Sequence, residues 1–389
     1  MRICLIGPSY PFRGGIAHHT TLLYRHLRKS HQTRFYAFKR PYPRWLFPGK
    51  MVADGSKMPL QDDDAQPVLD FMNPITWWGV YKRISRERPD LVILPWWTSF
   101  WTLQFWTIAS LTKRFSPTKI LFICHNIVDH EPHLFSKLCT QAVLSKGDYL
   151  YVHSENDARL AQQLLPAARI THAFHPLYDC FQEGTLAKTE ARSRLGLEGD
   201  TILFFGFIRP YKGISDLLKA MPLILKQRKI TLLVVGEFWD GQKGFDQQVN
   251  ELGITDAVRV VDKYVANEDV GLYFSAADLV VLPYRTASGS GIVQIAYALD
   301  KPVVATCVGS LREVVENGRT GYLVDPGDTR ALADAVIRFF QEGKEAEFVA
   351  NIRKAKRNFS WEQIVSLIEQ STTNGNSIIR QEQSSWTPQ

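Results

Sequence analysis

Short, mostly β-branched apolar runs recur along the chain, each closed by glycine, proline or a polar cap and followed by apolar residues at helical spacing. Such continuous runs are the mark of parallel strands buried on both faces. The first, Arg2-Ile3-Cys4-Leu5-Ile6-Gly7, leads through a loop from Pro8 to Gly15 into a helix predicted over Ile16 to Leu27. Asp90 to Pro95, Ile120 to Cys124 and Leu150 to His153 read as further strands, the last followed by the helix cap Ser154-Glu155-Asn156-Asp157. A second alternation opens at Thr201. Its strands are Ile202 to Gly206, Thr231 to Gly236, Ala257 to Val261, Leu279 to Pro283 and Pro302 to Thr306.

Two βα series predict an α/β chain with two Rossmann-like, doubly wound domains facing a central cleft, with ligands at the carboxyl ends of the strands. The expected limits are 1–178 for the first domain and 179–358 for the second, with 179–200 as linker. A C-terminal helix over 359–371 is expected to pack back towards the first domain. The polar segment 372–389 has the composition of a disordered tail.

A length of 389 residues with 45% hydrophobic content suits two globular cores. Five scattered cysteines lack metal-ligand spacing and read as reduced thiols. The first strand begins within two residues, so no cleavable leader is expected, and no stretch reaches the ~20 apolar residues of a membrane helix. The expected location is the cytoplasm, with peripheral contact at the inner membrane face as an option.

That option comes from the net charge of +7 and from two segments. Arg25, His26, Arg28, Lys29, Lys39, Arg40 and Arg44 crowd together, either as a solvated surface or as a contact for anionic lipid. No nucleic-acid module accompanies them. The aromatic run Trp96-Trp97-Thr98-Ser99-Phe100-Trp101, with Phe105 and Trp106, reads first as core and cleft wall and second as a membrane-facing patch. Asp62-Asp63-Asp64 reads as a solvated turn rather than a metal site.

Four strand-end loops carry the candidate chemistry. Gly206-Phe207-Ile208-Arg209-Pro210-Tyr211-Lys212-Gly213 sets a guanidinium and an ammonium before a helix start, a clamp for a diphosphate. Ser288-Gly289-Ser290-Gly291-Ile292 lets a phosphate approach backbone N–H groups. Glu313, just past another strand, suits ribose hydroxyls. In the first domain, His125-Asn126 ends a strand, and Gly14, Gly15 and His18 line the first loop. His130 and His133 follow His125, without a convincing metal pattern.

These stretches resemble the family-four glycosyltransferases of the GT-B fold. The resemblance is sharpest in Gly206 to Gly213, Ala276 to Pro283 and Lys301 through Glu313 to Val324. It implies a nucleotide-sugar donor on the C-terminal domain, a saccharide or lipid-linked acceptor held mainly by the N-terminal one, hexosyl transfer with retention, and no required metal or other cofactor. Arg209 and Lys212 would carry the leaving diphosphate and His125 would orient the sugar or acceptor. One departure stands out: the family's two glutamates around the Ser288–Gly291 loop are missing, as in a divergent branch with an Ala-Tyr-Ala helix. The alternatives are a non-catalytic nucleotide-sugar-binding scaffold and a GT-B sugar epimerase. A nicotinamide dehydrogenase is disfavoured because no Gly-x-Gly-x-x-Gly opens a helix with a suitably spaced acid.

Overall fold

In the computed structural model, which describes residues 1–42, 53–128 and 135–373, the strands form one 7-stranded and one 6-stranded parallel sheet. Each belongs to its own compact unit. The first unit comprises Met1–Phe47, Gln61–His175 and Trp361–Gln389; the second comprises Pro48–Leu60 and Pro176–Ser360.

In the first unit β1 (Arg2–Gly7), α1 (Gly15–Leu27), β2 (Gln32–Arg40), β3 (Ala65–Asp70), α2 (Pro74–Glu87) and β4 (Leu91–Trp96) come first. Then follow α3 (Thr102–Phe115), β5 (Lys119–Cys124), α4 (Ser136–Leu144), β6 (Tyr149–Val152), α5 (Glu155–Leu164) and β7 (Ile170–His172). The sheet order is β3-β2-β1-β4-β5-β6-β7, so the winding reverses between β1 and β4. Right-handed crossovers therefore place α1 on one face and α2 to α5 on the other.

The second unit holds α6 (Lys188–Leu195), β8 (Asp200–Phe205), α7 (Ile214–Leu225), β9 (Ile230–Val235), α8 (Lys243–Glu251), β10 (Val258–Val261) and α9 (Asn267–Ala276). It continues with β11 (Leu279–Leu282), α10 (Gly291–Ala298), β12 (Val303–Thr306), α11 (Leu311–Val314), β13 (Gly321–Val324), α12 (Thr329–Glu342) and α13 (Glu345–Ala355). Its order is β10-β9-β8-β11-β12-β13. Residues 53–60 join this unit: the Asp54 carboxylate accepts from Asn267 Nδ2 at 3.3 Å, and Glu268 accepts from the Lys57 N–H at 2.9 Å. The chain ends in the first unit with α14 (Trp361–Thr373), which lies beside α1 with Trp361 stacked on His26 at 5.4 Å. The expected disordered tail lies, from residue 374, outside the described residues.

Four strands escape the hydrophobic pattern. β2 is interrupted by arginine and lysine, β3 carries Pro67 on an edge, β7 has 3 residues, and β13 has 4. In β13 the glycine is sterically required, since a Cβ on Gly321 would sit 1.9 Å from the Val303 carbonyl oxygen.

Two surface readings are corrected. Asp62 is not a solvated residue: its side chain is 4% exposed and accepts from Arg28 at 3.1 Å, with Arg25 at 3.6 Å. Asp64 accepts from the Tyr24 hydroxyl and from Arg28, both at 3.1 Å. Arg25 and Arg28 of the early basic cluster are thus tied to the Asp turn, Lys29 lies 3.8 Å from Glu362, and Arg40 pairs with Asp70 at 2.6 Å. Arg44 lies outside the described residues. In the aromatic run, Trp96, Trp101 and Phe105 are core side chains, Trp97 and Phe100 are packed against that core, and Trp106 is exposed.

Candidate functional site

The loop after β8 is shaped by two glycines. Gly206 has φ +105, and its N–H donates to the Val235 carbonyl at 2.9 Å. Gly213 has φ +68, and a Cβ there would meet the Pro283 oxygen at 1.8 Å, which excludes any other residue. Between them, Pro210–Lys212 forms a 3-10 turn that hands the chain to α7. Arg285 braces this turn: its N–H donates to the Tyr211 oxygen at 2.8 Å and its guanidinium grips Asp216 with two bonds of 2.8 Å.

The turn buries the Lys212 ammonium against Gly206, near the Tyr284 ring at 5.4 Å. Burial pushes its pKa down to about 8, and the nearby Arg209 guanidinium adds to the effect. Lys212 is buried, while Arg209 is partly buried with its guanidinium 3.9 Å from the Asp240 carboxylate, so two cations stand together at the end of β8. Arg209 lies over the Trp239 ring at 4.9 Å, and Trp239 packs on Phe207, which stacks with Tyr264. This aromatic group, gathered from the ends of β8, β9 and β10, was not foreseen. Its signal lay in the residues directly after each strand.

The Ser288–Gly291 loop lies in the same unit. Its spacing is set by the neighbouring loop, because Gly309 packs where a Cβ would be 2.0 Å from the Ala287 oxygen. The Ser310 N–H donates to the Ser288 carbonyl at 3.0 Å. Ser290 caps α10, its hydroxyl accepting from the Ile292 N–H at 3.3 Å. The Ile292 side chain reaches the Gly206 position, 3.3 Å from where a Cβ would be. Gly206 and Lys212, from one loop, therefore converge with Ile292 of α10. Gly289 is open on its Cβ side, its nearest neighbour there being Ser310 Oγ at 3.7 Å from a built Cβ. Glu313 sits in the four-residue α11, partly buried, its N–H bonded to the Ser310 carbonyl. No acidic side chain occurs in α10.

In the first unit, Gly14 (φ +112) precedes α1 with open space above it, and Gly15 begins the helix. His18 is buried in the first turn. His125 extends β5, its N–H donating to the Trp96 carbonyl at 2.7 Å, and Asn126 Nδ2 donates to the Trp97 carbonyl at 3.0 Å. Asn126 thus braces the end of β4.

The larger finding is a histidine cluster. Ring nitrogens of His19, His125 and His153 lie within 4.8 Å of one another, and His175 is 4.9 Å from both His19 and His153 between ring centres. Among the described residues, His19, His125 and His153 are close enough together to share a metal ion. Burial holds His19 and His153 well below the ordinary histidine range and lowers His125 to about 3, each helped by its histidine neighbours. All three are neutral at physiological pH, so they offer both donors and acceptors to hydroxyl groups. The signal was present in the chain: His125 and His153 each follow a strand in a pair whose register matches Cys124 to Val152. His130 and His133 lie outside the described residues.

Residues 199–342 match the model of the Glycosyl transferases group 1 family. The chain is 31% identical to a D-inositol 3-phosphate glycosyltransferase of a Nocardioides species over 242 residues, 57% of this chain and 52% of the relative. It is 30% identical to the phosphatidyl-myo-inositol mannosyltransferase of Mycobacterium leprae over 190 residues, 46% and 49% of the two chains. The chain thus spans about half the length of these curated relatives. Among solved structures, sucrose-phosphate synthase from Thermosynechococcus elongatus superposes with TM-score 0.72 at 20% identity, covering 95% and 98% of the two chains. Anabaena Alr3699/HepE in complex with UDP and glucose does so with TM-score 0.72 at 19% identity, covering 95% and 98%. The two doubly wound sheets have the GT-B fold, and within it residues 199–342 are the stretch that matches the Glycosyl transferases group 1 family.

Proposed function

We propose that this protein transfers a hexosyl group from a nucleotide-diphosphate sugar to an acceptor hydroxyl with retention of configuration, in polysaccharide or glycolipid assembly. The observation that carries the reading is the buried Lys212 ammonium, packed against Gly206 and depressed in pKa by burial and by the Arg209 charge. A diphosphate supplies that anion. Arg209 and the N–H groups around Ser288–Gly291 complete the cradle, and Glu313 accepts from the ribose.

As the glycosidic C–O bond breaks, negative charge grows on the diphosphate and positive charge on the sugar ring. Preorganised cations stabilise the leaving group without reorganisation, each contact being worth ~3 kcal/mol of barrier. The departing diphosphate oxygen takes the proton of the incoming hydroxyl on the same face, so retention needs no protein nucleophile. His125, held neutral, orients a sugar or acceptor hydroxyl by hydrogen bonding. The reading assigns no role to a metal.

The relatives named for inositol phosphate and phosphatidylinositol acceptors support a polyol or lipid-linked acceptor here. The acid-free α10 favours one rival, a nucleotide-sugar-binding scaffold. Calorimetric titration with a panel of nucleotide sugars, followed by mass spectrometry for transfer or slow donor hydrolysis, separates the two. Turnover supports the transferase; binding without any turnover supports the scaffold.

A further inference from the structure

We propose that the outward faces of α2, α3 and α4 form a surface that docks on an anionic lipid bilayer. Arg25 and Arg28 are tied to Asp62, Lys29 lies 3.8 Å from Glu362, and Trp96 and Trp101 are core side chains, so these segments do not provide such a surface. Exposed apolar side chains gather instead on these three helices. On α2 the solvent-facing positions include Ile75, Trp78, Lys82 and Arg86; on α3 they are Leu103, Trp106, Lys113, Arg114 and Phe115, with Lys113 paired to Asp148 at 2.8 Å. The α2 set falls at i, i+3, i+7 and i+11, and Leu103, Trp106, Lys113 and Arg114 of α3 at i, i+3, i+10 and i+11, each along one helix face. Leu138 is the exposed apolar residue of α4. Exposure runs from 43% at Trp106 to 77% at Ile75, far outside what a solvated helix face requires of such residues.

The order along each helix matters. In α2 the exposed apolar residues come first and the cations last; in α3 Leu103 and Trp106 come first, Lys113 and Arg114 follow, and Phe115 closes the helix. Because successive crossovers of a parallel sheet run in one direction on one face, the helices are parallel and these halves align. An apolar band results beside the carboxyl ends of the strands, with a basic band below it. A bilayer surface has this same division, acyl boundary next to phosphate.

Charge complementarity selects the occupant. α3 and α4 contain no acidic residue, and in α2 Glu87 accepts from the Tyr36 hydroxyl at 2.7 Å. Lys82 lies 5.5 Å over Trp78, Arg114 5.4 Å over Phe115, and Lys146 5.8 Å over Trp106, so each exposed ring comes with its own cation. An open cavity of about 470 Å³ is lined by Trp78, Tyr81, Lys82, Arg83, Ser85 and Arg86, a wall of rings and cations suited to a lipid phosphate. No described helix is long and apolar enough to cross a membrane, so contact here is peripheral. The docking stands on these faces alone; that the bilayer presents a lipid-linked acceptor rests on the transfer reading.

The test is co-sedimentation of the full chain with vesicles of equal phosphatidylglycerol and phosphatidylcholine, against phosphatidylcholine alone. Recovery with the anionic vesicles only, weakened by salt, is expected. Trp78→Ser with Trp106→Ser, and separately Lys82→Glu with Arg86→Glu, should each reduce partitioning ~tenfold or more. Melting temperature and nucleoside-diphosphate affinity of both variants should match the parent, which separates this surface from the donor site. No recovery, equal recovery on neutral vesicles, or variants that partition like the parent would overturn the proposal. So would a parent dimer that the tryptophan variants dissociate.

Discussion

The Lys212 ammonium lies 3.1 Å from the point where a Cβ on Gly206 would stand, so the strand-end glycine is the floor on which the cation rests. Gly206→Ala fills that floor. The methyl also meets Ile292 at 3.3 Å, and φ +105 is costly for any residue with a Cβ, of order 1–3 kcal/mol. The variant should lose about tenfold or more in nucleoside-diphosphate affinity and melt at a lower temperature. Calorimetry showing parental affinity would remove Gly206 from the site.

The lowered pKa of Lys212 gives a pH signature. Below about 8 the ammonium is charged and the clamp is complete; above it the unliganded lysine sheds its proton, which a bound diphosphate must restore. Donor affinity should therefore be level around neutral pH and fall above about pH 8, towards a limit of about tenfold per pH unit. Lys212→Arg keeps its charge throughout and should lack that decline, even if it binds more weakly. Titrations of both proteins from about pH 7 to about pH 10 decide the matter.

Arg209→Ala and Lys212→Ala should each lower kcat/KM for transfer by about a hundredfold or more, with the fold intact by circular dichroism. Glu313→Gln is expected to act differently, raising KM for the donor more than it lowers kcat, because a ribose contact is present before and during transfer. Full activity in both cation variants would sink the proposed clamp.

The histidine cluster predicts acid sensitivity. His19, His125 and His153 have folded-state pKa values below the unfolded one, so the unfolded chain binds more protons as pH falls. Stability from these groups is complete above about pH 6.5 and erodes below it, by up to ~1.4 kcal/mol per pH unit for each histidine that titrates only on unfolding. For His125 the erosion continues to about pH 3. Urea midpoints measured on either side of that window should show the loss, and His153→Gln should flatten it. Identical slopes in parent and variant would contradict a neutral buried cluster.

How much of this was legible in the sequence follows from contact range. Gly206, Arg209 and Lys212 share one short loop, so their order along the chain already sets their proximity. Both sheets were legible where strands were buried on both faces, as in β4 and β9. They were not where a strand lay on an edge or was cut by charge, as in β2 and β3. Asp62 looked solvated because its partner Arg28 is 34 positions away. The histidines come from α1, β5 and β6 ends and beyond β7, and only the strand order brings them together. The surface on α2 to α4 was hidden for the same reason: helical spacing shows each face, but parallel crossovers are needed to join them.

The Gly309 contact offers the last test, one of loop spacing rather than charge. A Cβ at Gly309 would lie 2.0 Å from the Ala287 oxygen and 2.8 Å from the Ser288 oxygen, so Gly309→Ala must push the Ser288–Gly291 loop away. Overpacking of this kind costs about 1–3 kcal/mol, and the displaced loop should also lose its donor contacts. Ser290→Ala is the control, since it removes the α10 cap at a cost of about 1 kcal/mol but leaves the two loops joined through the Ser310 N–H and the Ser288 carbonyl. If spacing positions the loop for a phosphate, Gly309→Ala loses far more nucleoside-diphosphate affinity than Ser290→Ala at matched loss of stability. Equal losses would mean that the loop contributes through the stability of the unit and not by holding the donor.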